Sequence, residues 1–215
     1  VERIKQLLKR DEPVKWLFYG DSITHGAVHT WGWRDYSELF RERVRFELAR
    51  MQDIVINTAI SGNATIELLE TFDWRAGQFK PDACFLMIGM NDCAESRNMP
   101  RAQFEANLHE LADRFDAMGT VTVMQTTCPI LPGGAPDREP YFDDFMQAIR
   151  DVAAQRSLPL IDHTAWWHKT ALALDYWMDN AFHPNAFGHR AFAHLLFRDL
   201  DIFDPQAPTC RLLVP

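Results

Sequence analysis

Phe18-Tyr19-Gly20-Asp21-Ser22-Ile23-Thr24-His25-Gly26 closes an apolar run that begins at Val14. The run stops abruptly at Gly20, and a serine follows two residues later. A buried parallel strand delivers a side chain to the carboxyl edge of a sheet in this way, and open α/β folds place their ligands at that edge. Ser22 is therefore a candidate nucleophile. Taken alone, Gly-Asp-Ser fits equally well a serine that merely caps a helix.

Outward from this stretch, strand-like and helix-like segments alternate. Strands are predicted at residues 14–19, 53–58, 83–88, 121–126 and 158–161. Helical spacing of apolar residues covers 33–51, with Tyr36, Leu39, Phe40, Val44, Phe46 and Leu48 on one side, then 64–69, 101–118 and 141–156. A last helix is predicted over 184–200, with Pro184 in its first turn as a start signal. Helices separating apolar strands imply right-handed crossovers and a mostly parallel sheet covered on both faces. Residues 129–140 are too rich in Pro and Gly for regular structure and are expected along the rim of a site. One domain is expected over 1–215, opened by a helix within 1–12. A strap over 201–215 closes it, with Leu212 and Leu213 as anchors.

Of the five serines, only Ser22 combines a strand-end position with glycine neighbours. The second strand is followed by Ser61-Gly62-Asn63, which puts an unhindered Gly62 N–H at the same edge. The third is followed by Gly89-Met90-Asn91-Asp92, whose Asn91 amide can donate in the same direction. Acyl transfer by a hydroxyl needs a base and donors for the developing oxyanion. His183, loop-borne in Asp179-Asn180-Ala181-Phe182-His183-Pro184-Asn185, suits the base. His109, His189 and His194 fall in helical runs, and His163 and His168 lie in a Trp-rich stretch where packing is the default. His25 and His29 follow Ser22 closely enough to line a site.

These four segments resemble the blocks of the SGNH hydrolase superfamily, the GDSL-type esterases and lipases. Gly20-Asp21-Ser22 matches the nucleophile block and Gly62 the glycine block. Gly89-Met90-Asn91-Asp92 matches the Gly-x-Asn-Asp block and His183-Pro184-Asn185 the terminal histidine block. The resemblance spans residues 20–185 and implies a three-layer α/β/α, flavodoxin-like fold with a five-stranded parallel sheet. It implies Ser22 as nucleophile, His183 as base, and the Ser22 N–H, the Gly62 N–H and the Asn91 side chain as oxyanion hole. The Gly-x-Ser-x-Gly elbow of α/β-hydrolases is absent around Ser22.

One position departs from the pattern. The family places an acid three residues before the histidine, where this chain has Asn180, with Asp179 one residue further back. An acid there holds the imidazole in its working tautomer and stabilises the imidazolium, whereas an amide can only orient it. A one-residue bulge would bring Asp179 to His183 Nδ1; Asn180 or a backbone carbonyl is the alternative orienting group, and Asp175 a more distant one.

The expected activity is hydrolysis of a carboxylic ester through an acyl-enzyme, on short acyl groups, acetyl above all, carried by a carbohydrate or other small alcohol. Trp31 and Trp33 after the nucleophile loop, Trp177 before the histidine block, and His25 are the candidate substrate contacts. A broad short-chain esterase or thioesterase, or a lysophospholipase-type acylhydrolase, is the alternative within the class. A non-catalytic ligand-binding module on the same scaffold is the alternative outside it.

A net charge of -8 and the lack of a Lys/Arg run argue against nucleic acid as partner. No apolar run approaches the ~20 residues of a membrane span, and no phosphate-binding glycine motif follows the first strand. Cys84, Cys93, Cys128 and Cys210 form no C-x-x-C pair, and Asp21, His25 and Asp92 lack ligand spacing, so neither metal nor cofactor is expected. A small-molecule ester is the expected partner. Cysteine usage favours a cytoplasmic setting, although a start at Val also fits a trimmed, secreted form.

Overall fold

A computed structural model describes residues 2–215. The elements in chain order are α1 (Glu2–Lys9), β1 (Lys15–Gly20), α2 (Ser22–His25), α3 (Tyr36–Glu42), β2 (Ile54–Asn57), α4 (Thr65–Glu70) and α5 (Phe72–Arg75). Then follow β3 (Ala83–Met87), α6 (Arg101–Ala117), β4 (Val121–Gln125), α7 (Glu139–Gln155), β5 (Leu160–Ile161), α8 (His163–Thr170) and α9 (Ala186–Asp199). The five strands form one parallel sheet in the order β2-β1-β3-β4-β5. The chain leaves β1 for one neighbour, β2, and returns to the other, β3. That reversal opens a crevice at the carboxyl end of β1, where such sheets bind ligands.

The period of two along β1 sorts its side chains between the helical layers. Trp16 and Phe18 pack edge-on against Phe40 and Tyr36 of α3. Tyr19 points the other way, onto Phe72 and Phe115, and its hydroxyl donates to Leu68 O at 2.6 Å. α3 pairs with α9 on the first face, and α4, α6 and α7 cover the second. Phe85 stacks on Phe18 at 4.8 Å across the β1–β3 pairing. Truncating such a buried aromatic costs about 3–5 kcal/mol. At the opposite, amino edge, Asp53 accepts from Val14 N and Trp16 Nε1, and Asp82 accepts from Lys15 N. These carboxylates fasten the sheet far from its functional edge.

Several boundaries differ from the sequence expectations. The helix predicted over 33–51 is α3 followed by a π-helical turn, Arg43–Glu47. Trp33 lies outside it, and Phe46 is exposed because it sits off the face shared by Tyr36, Leu39, Phe40 and Val44. Residues 139–140, assigned to the Pro-rich loop, begin α7, where proline costs no hydrogen bond in the first turn. Pro184 precedes α9; the cap is Asn185, whose Oδ1 accepts from Phe187 N and Gly188 N. In the 201–215 segment, Leu212 packs on the core while Leu213 is exposed. Arg43 Nε donating to Ile202 O, and Thr209 N and Oγ1 donating to Glu47, fix that segment instead. All four cysteines are buried free thiols. No helix among the described residues is long and apolar enough to cross a membrane.

Candidate active site

Ser22 is the first residue of α2, a single turn started by Asp21, whose Oδ1 accepts from Ile23 N at 2.9 Å, and ended by Gly26 in the left-handed region. The approach to β3 explains Gly20: a Cβ there would lie 2.1 Å from Met87 O. Ser22 is thus held against the sheet edge by backbone on both sides.

Its Oγ lies 2.8 Å from His183 Nε2. The other ring nitrogen, Nδ1, lies 3.0 Å from Asn180 Oδ1, which also accepts from Phe182 N and His183 N. Two backbone donors on that atom require it to be the amide oxygen, so Nδ1 carries the proton and donates. Nε2 is then the unprotonated nitrogen and accepts from the Ser22 hydroxyl, the tautomer a general base needs. Burial foremost, with His29 and Arg138 nearby, pushes the His183 imidazolium down to about 4 against the opposing charge of Asp179. The ring is therefore neutral at pH 7.

Asp179 does not take the place the sequence favoured for it. The bulge is absent; Asp179 N donates to His183 O at 2.9 Å, and its side chain turns away from Nδ1. Oδ2 accepts from His29 Nδ1 at 2.8 Å and Oδ1 from Trp31 Nε1 at 2.7 Å. Burial works against the charge, but these two hydrogen bonds hold the carboxyl below its usual range. The His29 ring lies face to face with His183, centroids 3.8 Å apart and planes 12° from parallel.

The donor side comes from the strands flanking β1. Ile60 N donates to Gly20 O, tying the loop after β2 to the end of β1. Gly62 is in the left-handed region at φ 83°, and its N–H has no acceptor among the described residues. Asn91 Nδ2 donates to Asn63 O at 2.9 Å, which joins the loops after β2 and β3 and leaves the amide's second N–H free to donate. Behind them lies Arg75 of α5, 2 % exposed and without a carboxylate partner among the described residues. Its guanidinium donates to Gly20 O, Thr58 O, Asn63 Oδ1 and Thr71 Oγ1 and stacks on Tyr19 at 4.8 Å. Nothing in the sequence singles out Arg75, because α5 is too short for a periodic signal. Asp92 accepts from Thr65 N and Oγ1 and so caps α4. Burial pushes Asp21 up to about 7 and Asp92 to about 6.

At the rim, His25 hydrogen-bonds with Ser61 Oγ at 3.1 Å beside Gly62, and Trp31 and Trp33 are 76 % and 63 % exposed. Trp177 is not a rim residue: it is buried against Trp166 and Trp167 and donates to Pro215 O. The Pro-rich segment packs on the histidine loop. Leu131 N donates to Ala181 O, and the Arg138 guanidinium covers the Phe182 ring at 4.3 Å. Among the described residues, no group of three or more His, Cys, Asp or Glu is arranged to hold a metal ion.

Residues 18–191 match the GDSL-like Lipase/Acylhydrolase family. An acetylxylan esterase of Geobacillus stearothermophilus is 24% identical over 213 residues, covering 86% of this chain and 93% of that protein. A protein of Mycoplasma pneumoniae described as uncharacterized is 34% identical over 113 residues, which are 51% of this chain and only 13% of that protein. A lipase/acylhydrolase of Enterococcus faecalis superposes with a TM-score of 0.76 at 22% identity, covering 90% of this chain and 99% of that one. The likeness of fold reaches nearly end to end, and the family match contains Ser22, Gly62, Asn91 and His183. The chain belongs to the GDSL-like lipase/acylhydrolase family and is an ester-hydrolysing enzyme.

Proposed function

We propose that this chain removes short acyl groups, acetyl above all, from a carbohydrate or other small alcohol, with Ser22 as nucleophile and His183 as general base. The observation that carries this is the 2.8 Å contact between Ser22 Oγ and the unprotonated Nε2 of His183, with Nδ1 fixed on Asn180. In the first half-reaction, Nε2 takes the Ser22 proton while Oγ bonds to the ester carbon. The carbonyl oxygen becomes an oxyanion, received by the N–H groups of Ser22 and Gly62 and the free amide hydrogen of Asn91. The intermediate collapses, the bond to the alcohol oxygen breaks, and His183 returns the proton to that oxygen. In the second, His183 takes a proton from water, the hydroxide adds to the acyl carbon, and Ser22 leaves reprotonated. Each oxyanion donor is worth about 3 kcal/mol in enzymes where one has been removed.

Two observations support the choice of substrate. Trp31, tied to the histidine loop through Asp179, presents an exposed aromatic ring, which suits stacking on a sugar ring, and Trp33 two residues on is also exposed. The acetylxylan esterase relative acts, by its name, on an acetylated polysaccharide. A p-nitrophenyl ester series from acetate to decanoate, run beside an acetylated xylose, tests this. Highest kcat/KM on acetate and release of acetate from the sugar are expected; an optimum at decanoate overturns the acetyl assignment. A fluorophosphonate probe tests the hydrolase itself, which requires the adduct on Ser22. An unlabelled Ser22 in folded protein would leave a non-catalytic binding module.

A further inference from the structure

The base of this site has an amide where a carboxylate would neutralise it. When His183 takes the Ser22 proton it becomes an imidazolium, and Asn180 Oδ1 can accept from its Nδ1–H without offsetting its charge. Asp179, a carboxylate that acts on His183, hydrogen-bonds with a different ring, His29, and that ring lies flat on His183.

We propose that His29 is a positioning residue for His183 and that Asp179 serves the base through it, its negative charge reaching the imidazolium across the stacked rings. The inference rests on the esterase reading of Ser22 and His183. A ring that donates its Nδ1–H to a carboxylate is enriched in electron density, and its face attracts a cation stacked on it. The stack also stops His183 from rotating about its side-chain bonds, so that Nε2 stays on Ser22 Oγ.

The local backbone is consistent with a placement that matters. The loop carrying His29 holds Val28 at φ 70° and Trp31 at φ 53°, both in the left-handed region, which a β-branched residue such as valine rarely enters. Such conformations persist where the surroundings over-determine them. Here Trp31 Nε1 and His29 Nδ1 converge on the two oxygens of one carboxylate, 148 and 150 residues away in sequence. The charged groups that act on His183 are Asp179 and, through the segment packed on Phe182, Arg138; His29 is the other titratable ring against it. Arg138, and His29 whenever its ring carries a charge, oppose protonation of His183; Asp179 favours it, so the neutral His29 ring is the form that assists the base.

The test is a double-mutant cycle between Asp179→Asn and Asn180→Asp, with His29→Phe, which keeps a stacked ring but no donor, as a second probe of the same link. In the wild-type background Asp179→Asn and His29→Phe should each lower kcat about tenfold with KM little changed. In Asp179→Asn the acid limb of kcat/KM should also move to lower pH, because an anion that favours the imidazolium has been removed. With Asn180→Asp present, a carboxylate sits directly on Nδ1, and the same two substitutions should cost less than about threefold. Equal losses in both backgrounds, or an unmoved acid limb, overturn the inference and leave His29 and Asp179 as structural residues. Fluorophosphonate labelling of the wild type separates the two levels. A missing adduct on Ser22 overturns the esterase reading and this inference together, whereas a labelled Ser22 with equal losses overturns the inference alone.

Discussion

The serine side and the histidine side of the site are built by different means. Ser22, Gly62 and Asn91 lie at the ends of three adjacent strands and are fixed by backbone: a one-turn helix, a carbonyl too close for any Cβ, and loop-to-loop hydrogen bonds. His183 comes from a loop 161 residues away from Ser22 and is fixed by side chains: Asn180 beneath it, His29 on its face, and Arg138 over its neighbour. The first kind of construction allows little variation, because moving one strand end moves the fold. The second tolerates exchange of one orienting group for another. That difference accounts for a family pattern that is intact at the serine, glycine and asparagine and altered at the acid.

The comparison breaks first at Ser22. Ser22→Ala should abolish turnover by about 10,000-fold or more with Tm unchanged, measured on p-nitrophenyl acetate. Residual activity within tenfold of wild type would move the chemistry elsewhere. Asn91→Ala comes next, with an expected loss of about 100- to 1,000-fold in kcat and a small change in KM. A rise in KM alone would make Asn91 a binding group instead.

The third prediction concerns stability on the serine side. Asp21 is wholly buried, and burial raises its folded-state value to about 7 from 3.8. The folded protein therefore holds a proton that the unfolded chain has released, and stability falls as pH rises from about 4 through about 7. Asp21→Asn removes that dependence, so its stability relative to wild type should improve by about 2 kcal/mol between pH 5 and pH 8, read from urea midpoints. A constant difference would show that Asp21 does not titrate in that window.

The smallest effect sharpens the histidine side. Activity of the wild type should fall only as pH drops through about 4, where His183 protonates. Asn180→Asp should move that limb upward by roughly one pH unit, because a carboxylate on Nδ1 favours the charged ring. A limb that stays in place would mean that the residue on Nδ1 does not set the base.

Legibility in the sequence followed the same division. Apolar runs ending in Gly-Asp-Ser, Ser-Gly-Asn and Gly-Met-Asn-Asp mark three strand ends, and strands in a parallel sheet share one edge, so local pattern is enough to place Ser22, Gly62 and Asn91 after neighbouring strands on that edge. The partner of His183 was not legible. Whether Asp179 or Asn180 reaches Nδ1 turns on one residue of loop geometry, and the ring that Asp179 holds instead lies 150 residues earlier. Trp177 was misplaced for a related reason: a tryptophan next to a site loop reads the same whether its ring faces substrate or the core, and here it faces Trp166 and Trp167. The π-helical turn at Arg43–Glu47 escaped because its extra residue per turn leaves the helical spacing only locally disturbed.

Arg75 has a consequence for motion. One guanidinium grips the carbonyls of Gly20 and Thr58 and the side chain of Asn63, so the segments carrying the serine and the glycine cannot loosen one at a time. They form one cooperative opening unit. In native-state hydrogen exchange, the amides of Ile60 and Asn63 should share a single opening free energy close to that of β1. The exposed tip of the Pro-rich segment, held by few such bonds, should exchange well before them.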